Sequence, residues 1–306
     1  MDPPRVQAGD GRNGREGATS AIARVYREFV LGGHMLALGT ASAAAASAIL
    51  MGEVVTPVLL VMAYLFSYGA YMMNRSAEID QDLTSHPERT ALMSGRRRYL
   101  PLISAGCFLV GYVLAITVNL VFFGALLVPL LLSVAYSVGS KRLVGVIGVS
   151  KLKDKLLVKN LVVSFGWSLI PLLVGLYYLK FVVPLGVVSL LIFLRGMAST
   201  LFFDIRDVEG DRGQGIRTVP VVYGAGTTFS LVTILNLVSV AYLAGAAALS
   251  LLPPFALVLA VLPVYSLAYS YFARRPGADM GFICDNIADA EDLLWGPLVY
   301  IGAAFI

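Results

Sequence analysis

Long apolar runs separated by short polar gaps dominate the pattern of this 306-residue chain. A helix of about 20 apolar residues is long enough to cross a bilayer. Nine such runs are predicted to be spans, at about 31–50, 54–73, 99–118, 119–138, 159–179, 181–203, 226–248, 253–272 and 290–306. The third and fourth abut so closely that Asn119 must sit in the turn between them. The expected fold is an all-α membrane protein, with nine transmembrane helices in a bundle. Residues 1–28 are Gly-rich and charged and lack the apolar core of a signal sequence. They are expected to form a disordered cytoplasmic tail, leaving 29–306 as one polytopic domain.

Composition agrees with this reading: 58% of the residues are hydrophobic and 14% charged, against about 25% charged in soluble domains. The placement of charge adds orientation. Arg and Lys crowd the N-terminal tail and the gaps after the second, fourth, sixth and eighth runs, whereas the opposite gaps carry only Lys180. Cytoplasmic loops hold the excess of cations, so the N-terminus is expected in the cytoplasm and the C-terminus outside. The net charge of +4 is then a topology signal and gives no reason to invoke a nucleic-acid partner.

Two acidic clusters interrupt this pattern at matching places. Asn74, Glu78 and Asp82 follow the second run, and Asp204, Asp207 and Asp211 follow the sixth. Both sets have helical spacing that places their polar groups on one face, and both are expected on the cytoplasmic side. Ionisable groups at a bilayer are expensive and are retained for function or paired. Downstream of each cluster comes an Arg-Thr pair, Arg89-Thr90 and Arg217-Thr218, and then a glycine, Gly95 and Gly224. This weak repeat suggests two parallel four-helix units plus one further helix, with halves at about 31–158 and 159–306.

Five carboxylates gathered alone would repel one another. A hard divalent cation relieves that repulsion, and Mg²⁺ is commonly held by a few carboxylates together with phosphate oxygens. Arginines beside the carboxylates suit a phosphate group. In a bilayer the natural ligand is a polyprenyl diphosphate whose tail stays in an apolar tunnel. Tyr64, Tyr68 and Tyr71 share the face of the first cluster, and Phe193 and Met197 lie above the second. These five are the expected tail-binding wall, where aromatic faces would also stabilise an allylic cation.

The segments NRSAEIDQD at 74–82 and DIRDVEGD at 204–211, followed by HPERTALMSG and GIRTVPVVYG, resemble the two signatures and post-signature loops of the UbiA-type intramembrane prenyltransferases. The resemblance covers about residues 25–306. Glu78 stands where the family has aspartate, and the family's Tyr-x3-Lys element is one residue longer as Tyr136 to Lys141. The resemblance implies that Asn74, Glu78, Asp82, Asp204, Asp207 and Asp211 bind two Mg²⁺ ions. Arg89, Lys141 and Arg217 would then hold the diphosphate, and Asp82, Asp204, Tyr136 and Lys141 would be catalytic. The implied reaction is diphosphate departure, an allylic cation and capture by a lipophilic acceptor. Quinone precursors, a glycerol phosphate ether, porphyrins and chlorophyll-type rings all stay open as acceptors.

Other features are expected to be structural. Cys107 and Cys284 suggest no disulfide, and His34 and His86 are isolated. Asp279, Asp285, Asp289, Glu291 and Asp292 read as a solvated loop face between the last two runs, and Arg195 as one member of a buried structural pair. The rival reading is a transporter of an organic anion. It would be expected to place polar groups or broken helices at mid-membrane, whereas the polarity here gathers at the cytoplasmic helix ends.

Overall fold

The computed structural model of the protein describes residues 11–79, 87–138, 156–213 and 215–305, with their side chains except at 11–20, 78 and 135–138. The described residues are helical and contain no strand. The first half holds α1 (Gly11–Leu31), α2 (His34–Leu50), α3 (Pro57–Glu78), α4 (Pro87–Ser94), α5 (Leu100–Val118), α6 (Leu120–Ala125) and α7 (Leu127–Val138). The second holds α8 (Val158–Tyr177), α9 (Val183–Arg206), α10 (Val208–Gly213), α11 (Val219–Ala248), α12 (Val261–Ala273) and α13 (Trp295–Phe305). A 3₁₀ segment, Pro254–Ala260, leads into α12.

Among the described residues six helices are each long and apolar enough to cross a membrane. The first expected span is a helix pair, Ala21–Leu31 and His34–Leu50, bent by 58°. The fourth coincides with the shorter apolar stretch Leu120–Val134. Where the ninth run is expected, the regular helix is the 11-residue α13. Residues 280–294 form a helical turn, a π-helical turn at Ile283–Ala288 and a 3₁₀ turn at Asp289–Leu294 before α13.

Local chemistry explains the joints. Pro57 opens α3, and the Thr56 hydroxyl accepts from Leu59 N–H at 3.3 Å, a side-chain N-cap. Asn119 sits in the turn between α5 and α6 as expected. Its backbone is extended, its Oδ1 accepts from Phe122 N–H at 2.7 Å, and its Nδ2 donates to the Leu176 and Tyr177 carbonyls. The bend between α1 and α2 depends on Gly33, whose φ is +86°. A Cβ there would also lie 2.4 Å from the Tyr71 ring. Part of the stretch expected as a tail, from Gly11 onward, belongs to α1. Beyond Gly17 that stretch has neither Gly nor Pro until Gly32, so nothing breaks the helix.

α2 and α9 form the centre. α2 buries Ala37, Ala41, Ala43, Ala44, Ala46 and Ala48, small residues that let neighbouring membrane helices approach closely. α9 packs against α8, α11 and α2, and α2 packs against α3, 280–294 and α13. Outer faces stay apolar, as Leu102, Leu109, Val113 and Ile116 of α5 are exposed. Their backbone groups are paired within the helix, as a lipid environment requires.

One polar ring crosses this apolar centre. Arg195, 4% exposed, donates through Nε to Glu291 Oε1 at 2.9 Å and through Nη1 to Asn236 Oδ1. Tyr269 donates to Glu291 Oε2 at 3.2 Å, and Ser266 links Tyr269 to Asn236. The structural pair expected for Arg195 is therefore present, and its partner is Glu291. This corrects the reading of 285–292 as a solvated face. Glu291 is 4% exposed, because 280–294 packs inward against α2. Leaving a buried guanidinium without its counter-charge costs about 3–5 kcal/mol. Glu291→Gln is therefore expected to lower the thermal unfolding midpoint sharply. An Arg195→Leu, Glu291→Leu double variant should unfold at a higher temperature than the Glu291→Gln single.

Candidate active site

A cavity of about 510 Å³ opens within the bundle, inside the range of about 300–1,000 Å³ usual for small-molecule sites. Its wall is graded. One arm is apolar, formed by Leu59, Met62, Phe66, Phe108, Phe122 and Leu126. Another end carries Asn74, Arg75, Arg89, Arg206 and Asp289. Between them lie Arg195, Ser199, Thr200, Glu291 and Asp292.

The expected aromatic wall is only partly found there. Tyr71 lines the cavity and donates to the Leu31 carbonyl at 3.1 Å, but Tyr64, Tyr68, Phe193 and Met197 are not among the lining residues. The Gly33 bend brings His34 onto the α3 stripe. There the imidazole stacks on Tyr68 with centroids 4.7 Å apart, and Tyr64 Oη bonds to His34 Nδ1. The apolar arm instead uses the face of α3 that carries Leu59, Met62 and Phe66.

At the polar end a single carboxylate joins the two halves of the chain. Asp285 Oδ1 accepts from Arg89 Nη2 at 2.6 Å and from Arg206 Nη1 at 2.7 Å. Arg89 comes from α4, after the first acidic cluster, and Arg206 from the end of α9 inside the second. Arg206 also donates from Nε to Asp207 Oδ1 at 2.8 Å. One half-buried carboxylate thus holds two guanidinium groups, and Arg89 Nε has no hydrogen-bond partner. Arg217, expected beside them, is exposed and does not line the cavity.

The second cluster is split by a helix break. α9 ends at Arg206, Asp207 lies between the helices, and α10 begins at Val208. Asp204 and Asp211 nevertheless converge on the first turn of α8. Asp204, 1% exposed, accepts from Lys159 Nζ at 3.0 Å and from Asn160 Nδ2 at 2.8 Å. The positive end of the α8 dipole favours an anion at this position. Lys159 Nζ is also 4.0 Å from Asp211. Asp211 Oδ2 is buried without a hydrogen bond. Burial pushes its carboxyl up to about 6; Lys159 opposes the shift, while Asp204 and Asp207 add to it.

This donor set fits a hard divalent cation such as Mg²⁺. It offers oxygens only, one of them orphaned, and the Lys159 ammonium already marks a place between two carboxylates where positive charge is favoured. Asp204, Asp207 and Asp211 would supply the ligands from this half. From the first cluster, Asn74 lines the cavity. The Glu78 side chain, Asp82, Lys141 and the Tyr136 side chain lie outside the described residues, as does His86. Among the described residues alone, no three His, Cys, Asp or Glu side chains gather closely enough to hold a metal.

Lys159, Asn160, Arg206 and Asp285 take part in this site although sequence reasoning gave them no role there. A signal for the last was present. Asp285, Asp289 and Asp292 are spaced i, i+4, i+7, so they share one helical face as the two recognised clusters do.

Comparison with known proteins gives the same picture from outside. The sequence profile of the UbiA prenyltransferase family matches residues 34–281. The chain is 29% identical over 192 residues to the digeranylgeranylglyceryl phosphate synthase of Methanopyrus kandleri, a match covering 60% of this chain and 62% of that protein. The chain therefore spans less than two thirds of that relative's length. Its fold is similar to that of a UbiA homologue from Archaeoglobus fulgidus bound to GPP and Mg²⁺, with a TM-score of 0.62 and 14% identity over 90% of this chain and 99% of that one. A UbiA homologue from Aeropyrum pernix K1 is similar at a TM-score of 0.63 and 16% identity, over 88% and 96% of the two chains. An all-helical bundle of this fold, with a profile match across most of its length, belongs to the UbiA prenyltransferase family.

Proposed function

We propose that this chain transfers a prenyl group from a polyprenyl diphosphate to a lipophilic acceptor, with Mg²⁺ as its cofactor. The observation that carries this reading is one cavity whose apolar arm runs into Arg89 and Arg206, beside the Asp204–Asp211 cluster. The relatives support it, since the Archaeoglobus fulgidus homologue binds GPP and Mg²⁺.

Asn74, Glu78, Asp82, Asp204, Asp207 and Asp211 are proposed to hold two Mg²⁺ ions. When bound there, Mg²⁺ supplies positive charge that offsets the diphosphate and eases its departure. Arg89, Arg206 and Lys141 would grip the diphosphate oxygens through charge-assisted hydrogen bonds, and Arg217, outside the lining, would contribute little. Asp82 and Asp204, with Tyr136 and Lys141, complete the catalytic set. The prenyl tail lies in the apolar arm along Leu59, Met62 and Phe66, and Tyr71 faces its reactive end. Water is kept from the allylic cation by the same apolar wall. The Methanopyrus kandleri relative suggests a glycerol phosphate ether as acceptor.

In the membrane, nine crossings are proposed, built from two related halves. The N-terminus would be cytoplasmic, the C-terminus outside, and the acidic clusters would face the cytoplasm. The concentration of cations in alternate gaps of the chain supports that orientation.

Binding of geranylgeranyl diphosphate to purified protein tests this directly. Mg²⁺ is expected to tighten binding by at least tenfold (about 1.4 kcal/mol) over chelator. An Asp204→Asn, Asp211→Asn variant should lose that difference. Metal-independent binding that survives in this variant would favour the anion transporter instead. Hydrogen bonds to charged groups are worth about 1.5–3 kcal/mol, so Arg89→Met is expected to weaken donor binding roughly 10–100-fold. Titration of Arg217→Met should show a change of threefold or less.

A further inference from the structure

The acceptor must lose a proton when it bonds to the prenyl C1, and among the described residues few groups are placed to take it. The state of each described acidic side chain near the cavity narrows the choice. Asp207 is held by Arg206. Asp285 is occupied by Arg89 and Arg206. Glu291 is occupied by Arg195 and Tyr269. Asp204 is held by Lys159 and Asn160, and the Asp204–Asp211 cluster stands beside the cavity without lining it. Two carboxylates are left in the lining, Asp289 and Asp292, and neither has a hydrogen-bond partner among the described residues.

Depth separates these two. Asp289 follows Asp285 across the π turn and lines the cavity at the end that carries Arg89 and Arg206. A diphosphate gripped by Arg89 and Arg206 would leave its departing C1–O bond close to Asp289. Asp292 lies deeper, against α2, where a Cβ on Gly39 would come within 2.5 Å of its own Cβ.

The same wall selects the chemistry of the acceptor. Toward the polar end Asp289 shares the lining with Arg89 and Arg206, which already serve Asp285, and deeper in, Arg195 already donates to Glu291 and Asn236. At Asp289 and Asp292 the wall therefore accepts hydrogen bonds. An acceptor group bearing carboxylate or phosphate would meet like charge at Asp289 and Asp292, whereas a neutral hydroxyl would donate to one of them. Any anionic part of the acceptor belongs at the arginine end.

We propose that Asp289 is a catalytic residue that receives the proton of a hydroxyl-bearing acceptor as its oxygen bonds to the prenyl C1. This rests on the prenyl-transfer reading. In that step the C1–O bond to the diphosphate breaks and its electron pair leaves with the diphosphate. A lone pair of the acceptor oxygen forms the new C–O bond, and the O–H proton passes to the Asp289 carboxylate and then to water.

The test uses full-length protein in lipid nanodiscs with Mg²⁺, geranylgeranyl diphosphate and geranylgeranylglyceryl phosphate. Donor binding, transferred product and prenyl alcohol from capture by water are each measured. A general base contributes roughly 10²–10⁴-fold. Asp289→Asn is therefore expected to keep donor affinity within threefold while transfer falls at least 100-fold. The product ratio should shift toward prenyl alcohol, and Asp289→Glu should recover a tenth or more of the transfer. Transfer by Asp289→Asn within threefold of the unmodified protein overturns the assignment. So does an equal loss of donor binding and transfer, which would make Asp289 part of the packing or the clamp. Prenylation of 4-hydroxybenzoate in preference to the glycerol ether overturns the hydroxyl selection. Absence of any donor binding by the unmodified protein would instead overturn prenyl transfer itself, and this proposal with it.

Discussion

Charge buried in a bundle without water to screen it must find a partner, and two such pairings organise this molecule. Arg195 and Glu291 meet in the apolar centre and draw Asn236 and Tyr269 into the same ring. Nearer the polar end, Asp285 serves two arginines at once. Both pairings use residues of 280–294, and both reach elements distant in sequence. The cost of an unpaired ion in a medium of low dielectric thus fixes the last segment against α2, α4 and α9. With that segment in place the cavity has its polar wall.

Apolar and charged surfaces are accordingly sorted within one cavity. The arm along Leu59, Met62 and Phe66 has no charged neighbour in its lining, while the opposite end gathers Asn74, Arg75, Arg89 and Arg206. An amphiphile with an anionic head and a branched hydrocarbon tail matches both parts without leaving either desolvated and unpaired. The second acidic cluster lies beside this head region. There the orphaned oxygen of Asp211 and the Lys159 ammonium show an electrostatic demand that protein groups alone meet incompletely.

Much of this was legible from residue order because it follows from simple periodicities. The positions of most spans came from apolar run length, the turn at Asn119 from the absence of any gap, and the pairing of Arg195 from its isolation in an apolar run. The rest required tertiary context. Residues 280–294 look like a loop because carboxylates are dense in them, yet those carboxylates face arginines and a cavity. Tyr64 and Tyr68 share a stripe with Tyr71, but a bend at Gly33 carries His34 onto the first two. No periodicity of α3 itself could reveal that. The even stripe of Asp204, Asp207 and Asp211 is likewise interrupted, because α9 stops at Arg206 and the chain restarts as α10.

The mixed winding of 280–294 has a consequence for how such proteins diverge. A π turn at Ile283–Ala288 is followed by a 3₁₀ turn at Asp289–Leu294, so wide winding is followed by tight winding before α13 resumes. Successive residues on a helix are turned by about 100° from one another. Losing or gaining one residue between Asp285 and Glu291 would therefore rotate one carboxylate relative to the other by that amount. Asp285 could then keep its arginines only if Glu291 abandoned Arg195. The segment behaves as a key whose teeth are cut to a fixed length: its side chains can be exchanged one at a time, but its residue count is locked by two ion pairs that must close together.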